Sequence, residues 1–339
     1  MNLFFFFFFM QNVYNSPFSF LFALFTVRKT VPILRPIYEK RNQFISSPDV
    51  NPDFWFRVLA NSPSEVDEHI LPSDIRALGC ITGLNVERFE LDDKGQGEPR
   101  SLRFTFEFRT GEDNEFFENS KLVKEFYWRK LSIKTPKGKQ RSWEGLVSEP
   151  VRINWKKDMD LTNGLLDAAC NLADAEKKQG EGKNRNELPE FEALESKLNA
   201  VDGDDDGDGE KGEDDGESLL VKSSLGSNVS FFAWFGYRGR EISAEQSEQA
   251  RKADDEKWAK IASGQEVEDD VADDDDEDDE IENEELDELE DVEIFPDGEN
   301  LAIALAEDLW PGALKYYGKF FFFLSDHSLT FDSPSARDG

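Results

Sequence analysis

Asp202, Asp204, Asp206, Gly207 and Glu213 fall where a calcium-binding EF-hand loop places its oxygen ligands and its turn glycine. The chemistry on offer is coordination of a hard cation by carboxylates. Three features weigh against a designed site: Gly209 stands where an apolar residue normally bridges paired hands, the residues after Glu213 start a helix poorly, and no second loop exists to pair with. A tract this rich in Asp and Gly produces the match readily, so no metal site is assigned and no cofactor is expected.

Catalytic constellations are not legible. The two histidines, His69 and His327, lie near no nucleophile in an interpretable motif, and the sequence has neither a phosphate-binding Gly-Lys-Ser/Thr loop nor a G-x-S-x-G elbow. Paired carboxylates occur throughout and discriminate nothing. The two cysteines, Cys80 and Cys170, suggest neither a disulfide framework nor a zinc site, which fits a reducing compartment. The chain reads as a binding protein rather than an enzyme.

Charge is the stronger signal. Asp and Glu number 73 against 39 Lys and Arg, for a formal net charge of -34. Residues 28–160 hold 23 bases and 22 acids, whereas 266–293 hold 20 acids and no base, and 202–217 hold ten acids and one base. Such runs cannot bury enough apolar surface to offset chain entropy, so they are expected to be solvated interaction segments. A dense polyanion attracts polycations and repels nucleic acid, with an affinity that falls as salt rises. The acids expected to bind a basic partner are Asp273, Asp274, Asp275, Asp276, Glu277, Asp278, Asp279, Glu280, Glu284 and Glu285. The plainer alternative is that they keep the chain soluble.

These acids need elements to carry them. Asn51-Pro52-Asp53 starts a helix through Phe54, Trp55, Val58 and Leu59 that Ser62-Pro63 ends, and a second short helix is expected from Pro72-Ser73 to Leu78. Leu102, Phe104, Phe106 and Phe108 alternate with Arg103, Thr105, Glu107 and Arg109, the period-two pattern of a half-buried antiparallel strand. Ile81 to Leu91 and Leu122 to Leu131 supply two more strands, and Val151, Ile153 and Trp155 alternate as a fourth. The fold class is therefore α+β, a four-stranded antiparallel sheet covered by helices, with disordered acidic segments. The cover is expected from SFFAWFG at 230–236 and from a C-terminal helix around Leu301, Leu305 and Leu309.

The segments YEKRNQFI, NPDFWFRVL, LRFTFEFR, KEFYW, EPVRINWKKDMDLT, SFFAWFG and IFPDGENLAIALAEDLWPGALKYY, in this order, resemble the nucleosome assembly protein family, especially its SET branch and related fungal chaperones. The resemblance implies an earmuff-shaped domain over an acidic concave surface, core histones as partners, nucleosome assembly as the task, and in fungi a histone acetyltransferase as a further partner. It implies a homodimer joined by a long N-terminal helix, yet a Phe-rich segment stands where that helix should be built, which puts dimerisation of this chain in question. It also implies a nuclear location, with shuttling to the cytoplasm, and no direct specific DNA binding. For contacts by the folded part, the acids flanking DMDLT and AEDLW are the candidates: Asp158, Asp160, Glu307 and Asp308.

On this reading residues 1–27 are a Phe-rich hydrophobic segment, 28–162 the first part of the domain, 163–225 an insertion with an acidic Gly/Asp linker, 226–262 the second part, 263–291 an acidic run, 292–319 the C-terminal helix, and 320–339 a tail outside the domain. Two readings of 1–27 stand: a signal or anchor, and translated non-coding sequence, since runs of Phe arise when pyrimidine-rich DNA is read as codons. The signal reading belongs with an alternative function, low-affinity calcium binding in the secretory pathway through the acidic runs. Lys134, Lys137, Lys139 and Arg141 cluster at an expected hairpin tip, which is read as a solvated turn in preference to a phosphate or import site.

Overall fold

Alternating side chains at Leu102–Phe108 turn Leu102, Phe104, Phe106 and Phe108 inward, all buried, and leave Arg103, Thr105 and Glu107 on the other face. A computed structural model of the chain describes residues 17–47, 50, 53–134, 140–179, 185–202, 229–262 and 292–318. Its sheet is antiparallel in the order β1 (Ile81–Glu87), β2 (Leu102–Phe108), β3 (Lys121–Lys134) and β4 (Gln140–Ser148). Phe106 pairs with Leu84 on one side and Leu122 on the other, so inward residues stack in rows across the strands.

The fourth strand corrects the sequence expectation. It runs directly back from β3, with Phe126 opposite Ser148 and Lys134 opposite Gln140, and the alternating Val151, Ile153 and Trp155 lie outside it. Pro150 has no amide hydrogen to donate to a ladder. Beyond it the Val151 amide donates to Phe235 O and the Lys156 amide to Phe116 O, so 151–156 runs beside 116–118 instead of joining the sheet.

The inner face is closed by a 3-10 turn at Phe231–Gly236, all six residues of which are buried. Trp234 packs against Phe104, Phe106 and Phe126 at centroid distances of 5.2, 6.0 and 5.2 Å, and its indole donates to Gly298 O at 2.9 Å. Burying each such ring contributes roughly 2–3 kcal/mol. Asp74 fixes the start of this turn, accepting from Ser230 Oγ and the Phe231 amide, and a third bond from the Leu71 amide secures its own loop.

Helices complete the cover. α1 spans Pro17–Ile45, α2 Phe54–Ala60, α3 Ser64–Asp67 and α4 Ile75–Leu78; after the sheet come α5 (Leu165–Gln179), α6 (Pro189–Asp202), α7 (Ala244–Ala262) and α8 (Gly298–Ala304). α1 crosses the compositional boundary at residue 27, with Ala23, Leu24 and Val27 buried. It is tied to the domain by Arg41, whose guanidinium lies 4.8, 5.9 and 4.4 Å from the rings of Tyr38, Trp55 and Trp310 and donates to Trp310 O at 2.6 Å. The segment beginning at 163 supplies α5 and α6, and it buries Leu165, Leu166, Leu172, Leu194 and Leu198. After α8 the helix widens into a π-helical turn at Leu305–Leu309, marked by the Trp310 amide donating to Leu305 O. Among the described residues no helix is long and apolar enough to cross a membrane.

Candidate functional site

The DMDLT turn is built by its own polar groups. Asp160 Oδ1 accepts from the amide and hydroxyl of Thr162, at 2.8 and 2.7 Å, and Oδ2 accepts from the Gly164 amide at 2.8 Å. Asn163 and Gly164 both adopt left-handed backbone, φ 53° and 79°, and this reversal delivers the chain to the start of α5. Asp160 thus spends its lone pairs on its own turn. Asp158 differs: it is exposed and sits at φ 61°.

Lys156 joins this turn to the loop between β2 and β3. Its Nζ donates to Gly111 O and Asn114 O at 2.8 and 2.5 Å, while Asn114, fully buried, uses its side-chain oxygen to bind the amides of Phe116 and Phe117. The loop so pinned exposes Glu112, Asp113, Glu115 and Glu118, of which Glu115 pairs with Arg76. Asp158 and these acids therefore share one end of the sheet. Sequence reasoning passed over Glu112, Asp113 and Glu118; their signal was the acid content of GEDNEFFENS, a stretch read only as a strand connection.

Glu307 and Asp308 lie on the π-helical turn. Glu307 pairs with Arg88, both side chains 15% exposed, and Arg88 also donates to Pro99 O. Asp308 accepts from the Tyr316 hydroxyl at 2.6 Å and has Lys315 at 3.8 Å. Burial, then this carboxylate, push the Tyr316 phenol upward, so it remains a donor. Neither acid belongs to the end of the sheet that carries Asp158.

Asp202 closes α6, whereas Asp204, Asp206 and Glu213 lie outside the described residues, as do Asp273 to Glu280, Glu284 and Glu285. Among the described residues no group of three or more His, Cys, Asp or Glu is arranged to hold a metal ion. The side chains of the basic hairpin tip also fall outside the described set.

Comparison with known proteins gives a concordant result. A family model described as nucleosome assembly protein (NAP) matches residues 35–319. Vacuolar protein sorting-associated protein 75 of Saccharomyces cerevisiae is 29% identical over 150 residues, covering 44% of this chain and 52% of that protein. Protein SET of Drosophila melanogaster is 28% identical over 132 residues, covering 39% and 42%. The chain thus spans about half the length of the curated relatives it matches. A crystal structure of a Ccp1 mutant aligns with a TM-score of 0.47 at 20% identity, covering 89% of this chain and 90% of that one.

Proposed function

This chain belongs to the nucleosome assembly protein family, and we propose that it acts there as a histone chaperone, holding core histones on acidic surfaces and passing them to DNA during nucleosome assembly. The observation that carries the reading is the segregation of charge. A domain of balanced charge bears a stretch, 266–293, with 20 acids and no base. In sequence that stretch follows α7, which ends at Ala262, and description of the fold resumes at Val292. A basic protein that would otherwise bind DNA indiscriminately meets this polyanion instead. Exposed ion pairs contribute roughly 0–1 kcal/mol each, so strength comes from many acting together and falls with salt.

Discrimination among polycations falls to the folded acids, for which Asp158, Glu112, Asp113 and Glu118 are the best placed. Asp160, Glu307 and Asp308 remain candidates by sequence, but their carboxylates are committed to internal partners. The test is a fluorescence titration of labelled core histones with the full chain, beside lysozyme as a basic control. Much tighter binding of histones supports the reading; equal binding of both reduces the chain to a nonspecific polyanion.

A homodimer fits one further observation. Ile33, Ile37 and Phe44 are 66, 56 and 69% exposed, and their spacings of four and seven residues place them on one face of α1. A second copy of α1 would cover them. Light scattering of the chain and of Ile33→Glu/Ile37→Glu tests this: a dimer reduced to monomer is expected, and a monomeric parent chain refutes it. Nuclear location and an acetyltransferase partner follow from the same reading and are tested by cell fractionation and co-purification.

A further inference from the structure

The outer face of β3 and β4 carries a row of rings and guanidinium groups. Directly paired residues share a face, so Tyr127, Arg129 and Leu131 stand with Val147, Gly145 and Trp143. Tyr127, Arg129, Leu131 and Trp143 are all half-buried. Phe89 meets the Tyr127 ring edge-on at 5.2 Å, the Arg129 guanidinium lies 4.8 Å from Tyr127, and that of Arg240 lies 5.4 Å from Trp143. Gly145, opposite Arg129, keeps the row continuous: a Cβ there would come within 2.7 Å of the Trp143 ring, so the bare backbone lets the indole lie along β4.

Charge on this face is not all spent within the fold. Arg103 is neutralised by Glu125 at 2.7 Å, with Glu87 at 3.7 Å. Arg129 instead donates to the uncharged Trp128 carbonyl at 3.0 Å, and a cation stacked on a ring keeps its charge. In sequence, 121–141 holds eight bases and one acid, a basic island in a chain of net charge -34.

The residues flanking the acidic stretch are anchored to this same hairpin. Before it, α7 is tied to β3: Ser247 Oγ accepts from the Lys130 amide at 3.0 Å, and Asp254 pairs with the Lys130 ammonium. After it, Glu293 Oε2 accepts from the amides of Arg238 and Gly239 at 2.9 and 3.1 Å, and Arg238 O accepts from the Ser148 amide of β4 at 2.8 Å. Arg240 follows directly in the chain. The residues just before Val292, 281–291, read IENEELDELED, with Ile281, Leu286 and Leu289 spaced among seven acids. Acids interleaved with leucines complement rings interleaved with arginines. Fully extended, this segment reaches about 36 Å, more than the roughly 15 Å width of a four-stranded sheet.

We propose that residues 281–291 dock on the outer face of β3 and β4, their acids against Arg129 and Arg240 and their leucines against Tyr127 and Trp143. A basic partner then gains those acids only by displacing the chain's own arginines. The inference goes beyond the chaperone reading, since the docking is intramolecular and holds whatever the basic partner is. Tethering through Glu293 gives the segment a high effective concentration at the face. That offsets the small contribution of each exposed ion pair, and salt weakens the docking.

The Trp143 indole NMR resonance of the full chain, assigned by its loss in Trp143→Phe, tests the proposal. Replacing the seven acids of 281–291 by their amides should shift this resonance and leave that of the buried Trp234 in place. A synthetic peptide of residues 281–291 added to that variant should restore the parent position. Arg129→Gln/Arg240→Gln, which removes two exposed pairs, should weaken the peptide titration about fivefold. A Trp143 resonance indifferent to the acids, or restored equally well without the two arginines, overturns the proposal. A shift that depends on protein concentration would place the acids of a neighbouring copy on the face, and restoration by single-stranded DNA but not by the peptide would assign it to nucleic acid; either result overturns the proposal. Should the arginine variant fail to fold, a salt titration of the parent chain decides: movement of the Trp143 resonance toward the position seen in the amide variant supports the docking, and no movement overturns it.

Discussion

Replacing Glu307 by Gln should unfold the domain earlier before it changes any binding. Glu307 and Arg88 are 219 residues apart in sequence and pair with side chains each 15% exposed. A fully buried pair costs about 3–5 kcal/mol when one partner is removed, and an exposed pair costs about 0–1. At this exposure the loss should be about 2 kcal/mol, because the Gln amide oxygen and the Pro99 carbonyl can still accept from Arg88 but neither neutralises its charge. For a domain of this size that is about 4–8 °C in Tm. The assay is a double-mutant cycle in urea with Glu307→Gln, Arg88→Met and both together. The double variant should lose less than the sum of the singles by about 1 kcal/mol or more, since it leaves no unpaired charge. Single variants within about 0.5 kcal/mol of the parent, or strict additivity, would refute the reasoning.

Asp160→Ala should cost about 1–2 kcal/mol in urea unfolding, as for loss of a helix cap, while Asp158→Asn, exposed, without such bonds and suited to the same left-handed backbone, should leave stability within about 0.5 kcal/mol. The same pair should reverse in histone titration, Asp158 mattering more once stability is matched. Asp74→Asn should cost about 2–3 kcal/mol, because an amide oxygen cannot replace two carboxylate oxygens that accept from Ser230, Phe231 and Leu71; urea unfolding reads it directly. Trp234→Phe should cost about 1–2 kcal/mol, leaving Gly298 O without its buried indole donor, and the loss should appear in thermal unfolding.

The sheet was legible wherever burial follows alternation, as in Leu102 to Phe108, because a half-buried strand writes period two into its residue types. The same rule misled at Val151 to Trp155, which alternates as cleanly but is diverted by Pro150 and by amides already engaged with Phe235 and Phe116. β4 itself reads QRSWEGLVS, and the residues facing Phe126, Trp128 and Lys130 are Ser148, Leu146 and Glu144, so its inward face left little apolar pattern to read. Lys124 shows the limit from the other side: a charge in an apolar row reads as surface, and its carbonyl partners at Phe235 and Tyr237 are more than a hundred positions away. Carboxylate type and a place beside the family-like segments DMDLT and AEDLW marked Asp160, Glu307 and Asp308 as surface contacts. What separates them from Asp158 is whether the fold supplies an internal donor, and those donors come in part from distant segments. The long helix was obscured by composition, since Phe-rich sequence carries no polar face to declare a helical period.

The central claim is that the folded domain selects the partner and the acidic stretch supplies strength. It is tested most directly by titrating labelled core histones, at near-physiological and raised salt, with the full chain and with a variant lacking residues 266–291. The deletion stops short of Glu293 because that carboxylate holds the Arg238 and Gly239 amides. The account predicts weaker histone binding by the variant with a shallower salt dependence, and a preference for histones over lysozyme that survives the deletion. Loss of that preference together with the acidic stretch would contradict it.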